Sequence, residues 1–199
     1  MAKKHATSIV PPYTIIIDTR EQLPFGFHDL VGNVKDGVLP ITPKTIRLGL
    51  KTGDYSIQGF ESQIVVERKS LSDLYGSVGG ERERFHAEHE RMAEIVAAGG
   101  FACVVIEAGW SEILTRPPDG RKLVPKTIIR TATSWAMRYG VHWMALENRR
   151  LAEVTTFRIL DTWYRHHMEE QKKKQKEQER NLLANVTQEI AINGHTHAT

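Results

Sequence analysis

The apolar residues of this chain fall into short blocks separated by polar or glycine-bearing stretches, and the spacing inside each block predicts its element. "YTIII" (13–17) is an unbroken run rich in β-branched residues that stops at Asp18, the pattern of a central strand with a charge at its end. Residues 22–43 hold three prolines (Pro24, Pro40, Pro43) and three glycines (Gly26, Gly32, Gly37), which predicts mostly loop. "KTIRLGL" (44–50), "DYSIQ" (54–58) and "SQIVVERK" (62–69) are short, β-rich and divided by glycine-bearing turns, as successive antiparallel strands of a meander would be. Ser70 is placed to cap a helix that the glycines of "GSVGGE" (76–81) interrupt, and "RERFHAEHERMAEIVAAGG" (82–100) predicts a second helix with a Gly-Gly stop. "FACVVIEAG" (101–109) predicts a strand, Pro125 the start of a helix to about Tyr139, "VHWMALE" (141–147) another strand, and Arg149 the start of a long helix.

Strands cluster in the first half and alternate with helices in the second. The fold class this predicts is α/β, a mixed sheet with helices on both faces. Residues 1–12 form a polar N-terminal segment and residues 13–168 the domain. Residues 169–199 are a polar tail, helical or disordered, because a stretch so poor in apolar residues buries too little surface to offset its ordering entropy. No internal repeat is present.

Composition narrows the setting. A formal charge of +3 and an isoelectric point near 9.0 lean mildly toward a polyanionic partner. Cys103 is the single cysteine, so no internal disulfide can form; a reducing compartment is the simplest expectation, with Cys103 a small apolar filler in a buried strand. The first residues lack the apolar stretch of a signal peptide and no segment is apolar enough to span a bilayer, so a soluble, cytoplasmic protein without a membrane partner is expected.

The block at residues 53–73, "GDYSIQGFESQIVVERKSLSD", carries the chemistry. On a strand Glu67 and Lys69 project to one face and Arg68 to the other. If residues 54–69 form a hairpin, Asp54 on the neighbouring strand approaches Glu67, gathering two carboxylates and a lysine. Two carboxylates that close repel unless a cation sits between them, and hard oxygen ligands suit Mg²⁺ or Mn²⁺. Such an ion polarises a phosphodiester and activates water, with Lys69 orienting that water or offsetting charge on the phosphate. A surface hairpin with one solvated, charged face is the alternative this spacing leaves open.

The same block resembles the signature of the XPF family of structure-specific DNA nucleases, which includes archaeal Hef: Gly-Asp, then Glu-Arg-Lys, then an aspartate four residues after the lysine. The family's upstream Asp-x-Arg-Glu element is matched by Asp18-Thr19-Arg20-Glu21, and Ser77 with "RERF" looks like the arginine segment opening the family's next helix. The resemblance covers about residues 13–165. It implies a restriction-endonuclease-like fold, a mixed central sheet flanked by helices, and metal-dependent cleavage of branched or flapped DNA. By the same matching Asp54 and Glu67 would be metal ligands and Lys69 the catalytic lysine, within a network of Asp18, Arg20, Glu21, Arg68 and Asp73. For Arg68 and Asp73 a structural ion pair and a helix first-turn acid stand as equal alternatives.

Arg82 and Arg84 either contact DNA phosphates or line a solvated helix face. His86 and His89 share a helix face without a third metal partner, and read as surface or DNA-side residues. Trp135, Tyr139, Trp143 and Trp163 read mostly as packing residues. "RPPDGRKLVPK" (116–126) is a basic loop that could touch DNA, and "KKKQK" in the tail reads as a solvated helix. Members of the family usually append a tandem helix-hairpin-helix module. Here the polar tail stands in that place, so a homodimer or a partner subunit is expected to supply specificity. The competing function is a noncatalytic DNA-binding scaffold for a partner nuclease, and RNA cleavage is a further one.

Overall fold

The computed structural model describes residues 7–35 and 37–195. Residues 1–6 of the polar N-terminal segment and 196–199 of the tail lie outside the described residues. The chain divides into two units, Met1–Leu160 and Asp161–Thr199.

The first unit is built on a six-stranded mixed sheet. Its strands are β1 (Thr14–Ile17), β4 (Lys44–Arg47), β5 (Tyr55–Ile57), β6 (Ile64–Lys69), β7 (Phe101–Ile106) and β8 (His142–Ala145), in the order β4-β1-β5-β6-β7-β8. β1, β5 and β6 are successively antiparallel, whereas β6, β7 and β8 are parallel. Parallel neighbours need a crossover. Between β6 and β7 it is α1 (Leu71–Val78) and α2 (Arg82–Ala97); between β7 and β8 it is α3 (Trp110–Thr115) and α4 (Lys126–Tyr139). Ser70 caps α1 by accepting from the Asp73 N–H (3.1 Å), and Gly140 in the left-handed region (φ 66°) closes α4.

One face of the sheet buries Val65, Ala102, Val104 and Ile106 against Leu74, Tyr75, Phe85, Met92 and Trp135 of α1, α2 and α4. Tyr139 and Trp143 pack against the same core, and Cys103 is buried on β7, where burial pushes its thiol up to about 12. α5 begins at Arg149. Its first turns clamp the segment that follows β1: Arg149 donates to the carbonyls of Leu23 and Pro24, Arg150 to those of His28 and Asp29, and Glu153 accepts from the Phe27 N–H.

Three features depart from the sequence pattern. The proline- and glycine-bearing residues 22–43 contain an antiparallel hairpin, β2 (Leu30–Val34) with β3 (Gly37–Ile41), rather than loop alone. Pro40 lies opposite Val31 in that two-stranded sheet, and on the outer side of β3 Ile9 bridges to Ile41 using the Pro40 carbonyl and the Thr42 N–H, so the missing Pro40 donor is not called on there. Next, β4 is not part of a meander: it pairs parallel to β1 at the sheet edge, because residues 18–43 carry the chain back to the start of β1. Finally, six-residue α3 is too short to show a helical period.

In the second unit the chain is helical as the continuation of α5 (Arg149–His195). Arg165 pairs with Asp161 (3.0 Å) and Trp163 stacks on His167 (4.9 Å between centroids). Residues 169–185 are exposed and rich in Lys, Gln, Glu and Arg, all strong helix formers. No helix of the described residues is long and apolar enough to cross a membrane.

Candidate active site

The cluster is assembled where β5, the end of β6 and the starts of α1 and α2 meet. The Gly-Asp step fixes one side of it. Gly53 adopts φ +75°, and a Cβ there would stand 2.0 Å from Val65 Cγ2 and 3.2 Å from the Val66 carbonyl oxygen. Glycine is therefore required twice, by conformation and by the close approach of β6. Asp54 follows directly, its N–H donating to the Val66 carbonyl (2.9 Å) and its Oδ2 accepting from the Arg68 N–H (2.7 Å). Gly53→Ala should cost about 2 kcal/mol of stability, from the overpacking and the left-handed backbone together. Urea unfolding checks it; a loss under about 0.5 kcal/mol would show that the backbone relaxes freely.

On β6 the strand alternation sends Glu67 and Lys69 to the α1–α2 side and Arg68 to the other. Lys69 Nζ donates to Glu67 Oε1, lies 3.9 Å from Glu88 Oε2 of α2 and stands 4.9 Å over the Phe85 ring. Burial alone would push the Lys69 ammonium down, but Glu67 and Glu88 hold it well above its ordinary range. The acids shift up as well, which for them favours the neutral form. Burial and then the Glu67 charge push the Asp54 carboxyl well up, and the same two causes push Glu88 up to about 8.

Arg68 is committed elsewhere. Its Nε and Nη2 form a two-pronged pair with Glu107 (2.7 and 2.9 Å), and Nη1 reaches Glu21 Oε1 (3.3 Å), all beneath the surface. Arg149 Nη1 also donates to Glu107 (2.6 Å), and Glu21 Oε1 accepts from the Leu23 N–H (2.7 Å). Asp18 is buried behind this network: it accepts from the Arg20 N–H and Nε (both 2.8 Å) and from the Leu50 N–H (2.6 Å). Burial would raise the Asp18 carboxyl, yet these hydrogen bonds hold it below its ordinary value.

A cleft of about 440 Å³ opens over the cluster. Asp54, Glu67, Arg68, Lys69, Asp73 and Glu88 line it, with Arg20, Glu21, Ser77, Arg84 and Arg121 around them. Asp18 does not line the cleft, and Asp73 accepts from the hydroxyl of the capping Ser70 (2.6 Å) in the first turn of α1. Of the two arginines predicted to meet DNA, Arg84 reaches the cleft while Arg82 turns away, donating to Thr131 Oγ1 (2.9 Å) and stacking over Trp135 (5.0 Å). Nor is His89 a surface residue. It is fully buried among Phe85, Trp135 and Trp143, donates Nδ1–H to the Phe85 carbonyl (3.0 Å), and is pushed down to about 4 by that burial, hence neutral.

Sequence reasoning missed Glu88, Glu107 and Arg149. Glu88 follows Arg84 by one helical turn, a spacing that put it on the cleft-facing side and was there to be read. Glu107 meets Arg68 through the β6–β7 pairing and Arg149 meets Glu107 through the placement of α5, neither of which a local pattern carries.

Among the described residues no three His, Cys, Asp or Glu side chains are gathered to hold a metal ion by themselves. Asp54 and Glu67 nonetheless fit one. Their charges oppose each other at the floor of an open cleft, and a hard divalent ion held by two carboxylates keeps its other positions for water and phosphate.

A family model described as the ERCC4 domain matches residues 17–156. Among solved structures, the chain is similar to XPF from Aeropyrum pernix in complex with DNA, with a TM-score of 0.52 and 19% identity, over 79% of this chain and 66% of that one. It is similar also to XPF from Aeropyrum pernix with a TM-score of 0.50 and 18% identity, over 77% of this chain and 61% of that one. The chain thus spans slightly less than two thirds of either solved chain, and at these identities the likeness is one of fold, a central mixed sheet flanked by helices. No curated protein matches it.

Proposed function

The chain belongs to the ERCC4 domain family, and from that premise we propose that it is a metal-dependent endonuclease hydrolysing phosphodiester bonds of branched or flapped DNA in repair, recombination or phage replication. One observation carries the reading. Asp54, Glu67 and Lys69 line a single open cleft, two opposed carboxylates beside a buried ammonium, with Arg20, Arg84 and Arg121 around them. Lys69 offsets only one of the two carboxylate charges, and a divalent ion between them would offset the other and polarise a phosphodiester. The DNA in the Aeropyrum pernix complex supports DNA as the substrate class.

Asp54 and Glu67 would hold Mg²⁺ (or Mn²⁺), which supplies Lewis-acid polarisation of the phosphate and a more acidic water. The protein's own part is positioning. The Arg68 N–H and the Gly53 turn fix the Asp54 carboxylate, and Lys69 lies against Glu67, where its ammonium can orient water or offset charge on the phosphate. Arg20, Glu21, Arg68 and Asp73 frame the cleft, with Asp18 anchoring Arg20 from behind. Self-association or a partner subunit would complete the selection of branch structure.

The test is cleavage of end-labelled linear, flapped, forked and four-way DNA with Mg²⁺ and with EDTA. Cutting is expected with Mg²⁺ alone, strongest on a branched substrate. Asp54→Asn keeps the acceptor for the Arg68 N–H, so it should fold normally and cut at least about 100-fold more slowly. Tight binding without cutting under either condition would instead support the noncatalytic scaffold.

A further inference from the structure

The loop between α3 and α4 brings a residue to the cleft to which the nuclease reading assigns no role. We propose that Arg121 is a phosphate-seating residue, its guanidinium taking a backbone phosphate of the DNA strand beside the scissile one. The inference rests on the nuclease reading for what the cleft holds.

The other cations of the cleft are already engaged. Arg20 pairs with Asp18 and donates to the Leu50 carbonyl, Arg68 pairs with Glu21 and Glu107, Lys69 with Glu67 and Glu88, and Arg84 with Glu81. Arg121 makes only long approaches, to the Ser72 carbonyl (3.4 Å) and hydroxyl (3.5 Å). Among the described residues it is the cleft-lining cation with no carboxylate ion pair. An arginine fork matches two phosphate oxygens, and one not already neutralised does so without first breaking an ion pair.

The loop holds that guanidinium in place. Arg121 N–H donates to the Pro118 carbonyl (3.2 Å) in a tight turn whose third residue, Gly120, takes φ +73° as such a turn requires. Two residues on, Leu123 packs against the hydrophobic core. Glycine stands inside α1 at position 76, an unfavourable choice for a helix interior. A Cβ there would lie 3.4, 3.6 and 3.7 Å from Nη2, Nη1 and Cζ of Arg121. Such similar distances place the guanidinium with its face over the bare backbone of α1, at a position that lines the cleft.

The experiment uses the full chain with fluorescein-labelled flapped DNA, in EDTA over about 50 to 200 mM salt for binding and in Mg²⁺ for cleavage. Arg121→Ala should weaken binding about five- to tenfold and lower the slope of log affinity against log salt by about 1, one phosphate contact's worth. KM should rise to match with kcat within about twofold. Arg121→Lys should keep the salt slope while recovering only part of the affinity, because a point charge replaces the fork. Lys122→Ala, at the exposed neighbour, should change neither. If the wild type cuts and Arg121→Ala leaves slope and KM unchanged, or lowers kcat alone, the proposal is overturned while the nuclease reading stands. If the wild type binds without cutting, the nuclease reading falls and the salt slope still decides Arg121. If it neither binds nor cuts, both fall.

Discussion

Lys69→Ala should lower Mg²⁺-dependent cleavage by about 10²- to 10³-fold, the loss usual when one preorganised charge at a reacting centre is removed. The effect is electrostatic. Lys69 is the ammonium facing Glu67 and Glu88 inside the cleft, with 9% of its side chain exposed, and Asp54 adds a further acid. Without it the acids lose their counter-charge, protonate more readily and become poorer partners for a cation. The fold should survive, because the cleft is open and water can refill the vacated space. Lys69→Met, similar in length and uncharged, separates charge from packing and should be as inactive as Lys69→Ala. Single-turnover cleavage beside a thermal unfolding curve makes the measurement. Activity within threefold of wild type in both variants would remove Lys69 from the chemistry.

How much of this was legible beforehand depends on the range of the interaction. β1, β6, α1, α2, β7, α4 and β8 announce themselves through local period, a serine cap and glycine stops, and the sequence pattern locates each of them. Asp54, Glu67 and Lys69 share a cleft because strand alternation and a hairpin are also local rules. What escaped was non-local or masked by composition. The β2–β3 hairpin hides among prolines and glycines, and β4 looks like the neighbour of β5 until the crossover is known to return it alongside β1. "HAEHER" looks polar, so His89 reads as exposed until Phe85, Trp135 and Trp143 close over it. Arg68 shows the same limit most sharply. Its sequence neighbours explain the direction in which it points, but Glu107 and Glu21 are 39 and 47 residues away along the chain.

That separation makes Arg68 the residue whose loss should cost the most stability. Two arginines, Arg68 and Arg149, balance two glutamates, Glu21 and Glu107, in a network that ties β6 to the end of β7, the segment after β1 and the first turn of α5. The Arg68 pairs are buried, with side-chain exposures of 9% or less, so desolvation makes each group expensive when left alone. Burial would push the guanidinium's pKa down, but Glu107 and then Glu21 raise it, so it stays charged at every relevant pH. Arg68→Ala should therefore destabilise the domain by about 3–5 kcal/mol, most of it the cost of leaving buried Glu21 without a cation and Glu107 with Arg149 alone. The sign of a second substitution tests this account. Adding Glu21→Gln to Arg68→Ala removes the stranded charge and should recover part of the loss, whereas independent contributions would only add. Arg68→Lys should also fall short of wild type, since a single ammonium cannot present the fork that Glu107 receives while reaching Glu21. Denaturant unfolding of the three variants decides the matter. A loss below about 1 kcal/mol in Arg68→Ala, or strict additivity in the double variant, would mean that the network is hydrated and that packing alone holds these elements together.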